Sequence, residues 1–276
     1  MSQVSSPASA VMVAGRRLDR RGLIRRSEGL LLPSALLIVW EAVVRAGLVS
    51  AHQLPPPTEL LTTLVQLAGN GTLLEHIGIS SVRVLIGFLI GTGLAIVVGA
   101  AVGLSRRAEA LLDPTFQALR AIPSLAWVPL LLLWLGVDEA PKIALIAIGA
   151  FFPVYLNFVA GIQNVDRKLV EVGGIYGLTG WRLIARIFLP SALPNLFTGL
   201  RTGLALSWMF LVAAELIAAS RGLGYLLTDG RESGRADLVI VAIIVLALLG
   251  KTSDSLLRWL EDRLLDWRDV VDSRSS

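Results

Sequence analysis

The sequence predicts an all-α, polytopic membrane fold with six transmembrane helices, and three observations predict it. Hydrophobic residues fill 54% of the 276 positions and charged residues only 17%, against about one quarter charged in soluble domains. Mean hydropathy is +0.70. The apolar residues gather in runs that suit a hydrocarbon layer of about 30 Å, which takes roughly 20 helical residues to cross. The arginines and lysines fall between these runs and weigh on alternate connections, as the positive-inside bias requires.

Composition also excludes several kinds of chemistry. With no cysteine there is no disulfide, thiolate nucleophile or cysteine metal site. The two histidines, His52 and His76, stand 24 residues apart in a polar stretch, so no metal centre is expected. A net charge of +4 reflects loop arginines. No basic face interleaved with aromatics exists for nucleic acid to bind.

The first 15 residues are small and polar, and Arg16, Arg17, Arg20, Arg21, Arg25 and Arg26 lead into the first apolar run. No small-x-small cleavage site follows that run, which therefore reads as an uncleaved span behind a basic tail of residues 1–28. The membrane domain is expected over 29–268, with a short tail at 269–276.

The first span is predicted at 30–49; Glu41 and Arg45 lie four apart on one face, where they can pair. After Pro55, Pro56 and Pro57, Thr58 is placed to cap a helix with one apolar stripe of Leu60, Leu61, Leu64 and Leu67. That stretch, about 58–78, is too polar to span and is expected on the outer surface or at the interface. The second span is expected at 84–104, after Arg83, with Gly87/Gly91 and Gly99/Gly103 spaced for close helix approach. The third covers 114–135, interrupted by Pro123 and Pro129; the fourth covers 143–158, with Pro153 and Asn157 inside. The fifth and sixth are expected at 196–219 and 238–250, the last extendable to 257. Six spans put both termini and the 162–195 connection on the arginine-rich side, predicted to be cytoplasmic.

Proline breaks and polar atoms inside apolar spans must be satisfied by protein or by a water-lined cavity. They mark Pro123, Ser124, Trp127, Phe151, Phe152, Asn157, Trp208 and Glu215 as candidates for lining a passage. Glu215 needs a partner to sit in an apolar run, and Arg83 and Arg201 are both available.

The connection at 166–190 reads as two short helices around a glycine turn, 177–180, the first capped by Asn164 or Asp166. The second helix, 181–188, carries Arg182 and Arg186 on one face and Leu183, Ile184 and Ile187 on another.

Glu171, Gly177, Ile187, Leu189 and Pro190 have the spacing that resembles the EAA loop of ABC importer permeases. The departure is at Val172 and Gly173, where that family usually has two alanines. Further strings resemble permeases for aliphatic sulfonates and their taurine and nitrate relatives. They include Leu112-Asp113-Pro114, the run 120–130, the run 151–157, Ala214-Glu215, and 222–226. The resemblance implies a type I ABC importer permease fold in the cell inner membrane. It further implies a second copy of the chain, two copies of an ATP-binding cassette subunit and an extracytoplasmic substrate-binding protein. ATP would be hydrolysed by the partner, with no catalytic residue and no bound cofactor here. The loop about 164–190 would couple the two, through Glu171, Gly174, Gly177, Trp181, Arg182, Ile187, Leu189 and Pro190. The implied solutes are small organosulfonates, with taurine, nitrate or a pyrimidine precursor as alternatives.

Gly250-Lys251-Thr252 looks like the tail of a phosphate loop, but Val245 stands where its first glycine belongs. A membrane-embedded enzyme would need clustered acids or histidines at one depth, and the spans offer essentially Glu41 and Glu215. An ion-coupled secondary transporter remains the rival class, which would give the connection at 164–190 no purpose.

Overall fold

The computed structural model describes residues 20–266. They are helical in order: α1 (Arg20–Arg45), α2 (Pro57–Gly69), α3 (Thr72–Leu104), α4 (Arg106–Ala121), α5 (Val128–Leu135), α6 (Glu139–Gln163), α7 (Arg167–Ile175), α8 (Gly180–Leu183), α9 (Leu189–Ala218), α10 (Leu223–Glu232) and α11 (Ala236–Leu264). Residues 1–19 of the expected N-terminal tail, with Arg16 and Arg17, and the expected tail 269–276 lie outside the described residues. The rest of the stretch expected as a tail, from Arg20 on, forms the first turns of α1.

Four described helices are long and apolar enough to cross a membrane: α3, α6, α8 with α9 as one rod, and α11. A fifth span arises if α4 and the 124–135 segment count together. Helix α1 exposes Leu31, Leu32, Leu36, Ile38 and Val39, a surface suited to lipid, and with it the arrangement is compatible with six.

The predicted third span is corrected: it is bent by 90° between α4 and the 124–135 segment. Pro123 disfavours helical geometry at the residue before it, and Ile122 is extended (φ −74°, ψ 123°). Pro129 breaks nothing. It lies in the first turn of α5, where a missing N–H is no loss.

The second span is corrected too, because α3 begins at Thr72, twelve residues before the expected start at 84. The polar residues that hid those turns, among them His76, Ser80 and Arg83, are buried against other helices. Thr58 is a third correction. The N-cap of α2 is Pro56, and Thr58 instead donates from its hydroxyl (2.9 Å) and its backbone N–H (3.2 Å) to the Glu41 carboxylate. Glu41 also holds Arg45 at 2.6 Å, as the spacing predicted.

Helix α6 lies between α3 and α9. At Gly91 of α3 an added Cβ would strike the backbone carbonyl of Ala147, and at Gly199 of α9 it would lie 3.0 Å from the Pro153 carbonyl. The helices therefore touch backbone to backbone, the arrangement small residues permit in lipid. Around this contact Ala95, Val102, Val154, Tyr155, Phe158 and Leu196 form a buried core. A second core joins α2, α10 and α11 through Leu60, Leu223, Leu226 and Val241.

Candidate functional site

Helix α6 ends at Gln163, and the chain turns into α7 with Asp166 accepting from the Lys168 N–H at 2.9 Å. Of the two predicted caps, Asp166 takes the role. Helix α7 closes in a Schellman turn: the Leu178 N–H donates to the Gly173 carbonyl (2.9 Å) and the Gly177 N–H to the Gly174 carbonyl (3.0 Å). That turn needs a left-handed residue, and Gly177 has φ +70°.

The chain then reverses. Gly173, one of the two departures from the EAA pattern, is buried, and a Cβ there would lie 2.5 Å from Ile187 Cδ1 and 2.9 Å from Leu183 Cδ1. Its missing side chain is what lets α7 fold flat on the following segment. Beyond α8, residues Ile184–Phe188 form one π-helical turn that runs directly into α9 at Leu189-Pro190. The expected helix 181–188 is thus the first part of the fifth rod, which runs unbroken from Gly180 to Ala218.

The loop carries a bare apolar surface. Ile175 is 84% exposed, Tyr176 81% and Trp181 74%. Surface of this kind marks contact with a partner or with the membrane plane more often than a solvated face. Arg182 is exposed alongside, Glu171 is exposed on α7, and Gly174 has open space where a Cβ would stand. Behind the loop lies a cavity of about 670 Å³, lined by Glu171, Arg167 and Gly180 from the loop and by Arg106 and Glu109 from α4.

The eight passage candidates divide. Trp127, Phe151 and Phe152 meet at an apolar cavity of about 410 Å³ between α3, α4 and α6, with Phe116 and Leu119. Phe151 stacks on Tyr155 (centroids 5.7 Å apart), whose hydroxyl donates to Asp113 at 3.0 Å. Pro123 and Ser124 form the bend and do not line that cavity. The Asn157 amide donates to the Pro153 carbonyl at 2.8 Å, with its Cβ against Gly199. Trp208 donates to the Ser253 hydroxyl at 3.0 Å, tying α9 to α11.

Glu215 is buried in a polar knot at the opposite end of the helices from the loop. It accepts from Arg83 (2.7 Å), from Ser80 (2.8 Å) and from the Gly224 N–H (2.7 Å). Of the two predicted partners Arg83 is the one used; Arg201 pairs with Asp254 at 2.9 Å. The knot also holds residues that sequence reasoning missed. His76 accepts from the Gly222 N–H (2.9 Å), Ser80 from the Leu223 N–H (2.9 Å), and Arg83 donates to the Arg221 carbonyl (2.8 Å). Glu139 takes both remaining arms of Arg83 at 2.6 Å each, and Lys142 donates to it at 3.2 Å. Their signal was Arg83 itself, an uninterrupted charge between two apolar stretches that demanded counter-ions.

These helices fit a known architecture. The family model for the binding-protein-dependent transport system inner membrane component matches residues 91–266. This chain belongs to that family. It is a permease subunit of the ABC importer class, whose ATPase is a separate subunit, and it is a multi-pass membrane protein. This permease is 44% identical to the Bacillus subtilis protein named as aliphatic sulfonates transport permease SsuC, over 88% of each chain. It is 45% identical to the Escherichia coli protein of the same name, over 86% of this chain and 90% of that one. Identity to the E. coli taurine transport system permease TauC is 36%, over 93% and 96%. Among solved structures, an amino acid ABC transporter shares its fold with a TM-score of 0.61 at 16% identity, over 72% of this permease and 97% of that chain.

Proposed function

We propose that this permease forms the inner-membrane passage for small organosulfonates. Two copies enclose the path, two ATP-binding cassette subunits grip the 164–190 loops from the cytosol, and an extracytoplasmic binding protein delivers the solute at the end where Glu215 lies. Both chain termini are then cytoplasmic. The observation that carries the reading is the bare knob of Ile175, Tyr176 and Trp181 on a loop continuous with the rod Gly180–Ala218. A docked partner covers that surface and moves α9 with it. ATP drives transport only so far as its closed partner prefers one state of the permease over the other. In this reading Gly177 sets the turn, Glu171 and Arg182 meet polar groups of the ATPase, and Leu189-Pro190 begin the lever. Gly174, Ile187 and Trp181 complete the docking unit. The Trp127, Phe151 and Phe152 cavity is part of the passage.

The organosulfonate class rests on the two relatives at 44% and 45% identity. Taurine, itself a sulfonate, falls inside it.

Gly177→Val tests the coupling. The turn has open space around it, so strain at φ +70° is its main consequence. The variant is expected to insert at wild-type levels, to lose labelled ethanesulfonate uptake, and to lose stimulation of ATP hydrolysis. Full uptake by a correctly inserted Gly177→Val overturns the reading.

A further inference from the structure

The polar knot contains an imbalance the coupling role does not use. Glu215 is fixed: its side chain is wholly buried and three different donors hold it. Glu139 is not. Its side chain is 49% exposed, it opens α6, and among the described residues its side-chain hydrogen bonds come from Arg83 and Lys142 alone. Those two cations are the buried side, each only 6% exposed. Lys142 has three donors and a single acceptor, Glu139, among the described residues.

Beside Arg83 and Glu139 lies a cavity of about 460 Å³, where these two and Arg221 face the walls Val82, Ile86 and Ile143; Lys142 stands behind it and reaches it through the Glu139 carboxylate. A half-exposed carboxylate is costly against lipid, which argues for water at its open side. It lies at the far end of α6 from the loop; 25 residues at about 1.5 Å each put it roughly 37 Å away.

We propose that Arg83 and Lys142 form an oxyanion site at the mouth of this permease, and that Glu139 is a displaceable internal anion occupying it between transport cycles. The sulfonate group of the solute takes the place of Glu139, which turns outward into water. The inference rests on the organosulfonate reading and gives it a site. Charge decides the sense of the exchange. Arg83 and Lys142 balance Glu139 and Glu215, so removing Glu139 leaves one positive charge, the complement of one sulfonate. Geometry agrees, because the bidentate arms now on the Glu139 oxygens suit any planar pair of oxyanion oxygens. The short alkyl part of the solute then rests on Val82, Ile86 and Ile143.

The test is titration calorimetry of the assembled, nucleotide-free transporter in nanodiscs, without binding protein. Ethanesulfonate is the probe and ethyl methyl sulfone its uncharged control. Glu139→Gln removes the competitor and is expected to bind ethanesulfonate about tenfold more tightly than wild type. Lys142→Met removes one charge-assisted donor and is expected to bind it about tenfold more weakly. The sulfone is expected to bind equally weakly to all three. Should Glu139→Gln fail to assemble, Lys142→Met decides alone, since it leaves the Arg83–Glu139 pair whole. Wild-type uptake of ethanesulfonate with unchanged affinity in the variants overturns the site and leaves the function standing. Absence of wild-type uptake overturns the organosulfonate reading, and the site falls with it.

Discussion

Gly91→Ala and Gly93→Ala form a pair of substitutions two residues apart on α3 with opposite expected outcomes. At Gly91 the new methyl meets the Ala147 carbonyl oxygen, with the Ala147 Cα and carbonyl carbon both 3.0 Å away. All three are backbone atoms of α6, so no side chain can rotate aside and the two helices must separate. Overpacking of this kind costs about 1–3 kcal/mol. At Gly93 nothing lies within 4 Å, and alanine gains about 1 kcal/mol of helix propensity. The propensity gain is common to both sites, so the clash alone sets the difference. At about 2–4 °C per kcal/mol, Gly91→Ala is expected to melt roughly 2–12 °C below Gly93→Ala. Thermal unfolding of the two purified variants in the same detergent checks this, with matched lipid content. Equal midpoints, or a more stable Gly91→Ala, would show that α3 and α6 do not meet through this backbone contact.

Glu215→Leu takes one of two carboxylates from the buried Arg83, leaves the knot one positive charge in excess and strips the Gly224 N–H of its acceptor, so a loss of about 3 kcal/mol is expected; detergent melting and protease resistance report it. Gly222→Ala places a methyl 2.5 Å from the Glu215 carboxyl carbon at a backbone with φ +120°. It is expected to destabilise the same knot while sparing the loop end, which limited proteolysis resolves by position. Tyr155→Phe loses one hydrogen bond to Asp113 but keeps the stack on Phe151, for a loss of about 1 kcal/mol in the same melting assay.

What the sequence disclosed follows from the range of each interaction. The apolar bodies of the membrane helices were legible because hydropathy is a property of adjacent residues. So was the pairing of Glu41 with Arg45, which lie one turn apart. The glycine spacing of α3 announced a close neighbour but not that α6 was the neighbour. The start of α3 was hidden because its first turns carry Glu75, His76, Ser80 and Ser81, which are polar for a membrane span. Three of them are polar for a reason visible only in three dimensions: they reach Arg221, the Gly222 N–H and the Leu223 N–H, each more than 140 residues away in the chain. Glu139 was lost in the same way, since its partner Arg83 is 56 residues distant. The loop 164–190 was legible as two helices around a glycine turn because caps and Schellman turns are local. Its continuity with α9 was not, because a π turn leaves almost no trace in residue periodicity.

That π turn determines how the loop is aimed. One surplus residue in a helical turn rotates everything beyond it by about 100° relative to a regular α-helix. The side that Trp181 presents is therefore set independently of the side that α9 buries against α6. Shortening Ile184–Phe188 by a single residue would leave both surfaces chemically intact and point one of them the wrong way. Five residues thus act as the indexing joint of the rod, with Ile187 among them seated over Gly173 of α7.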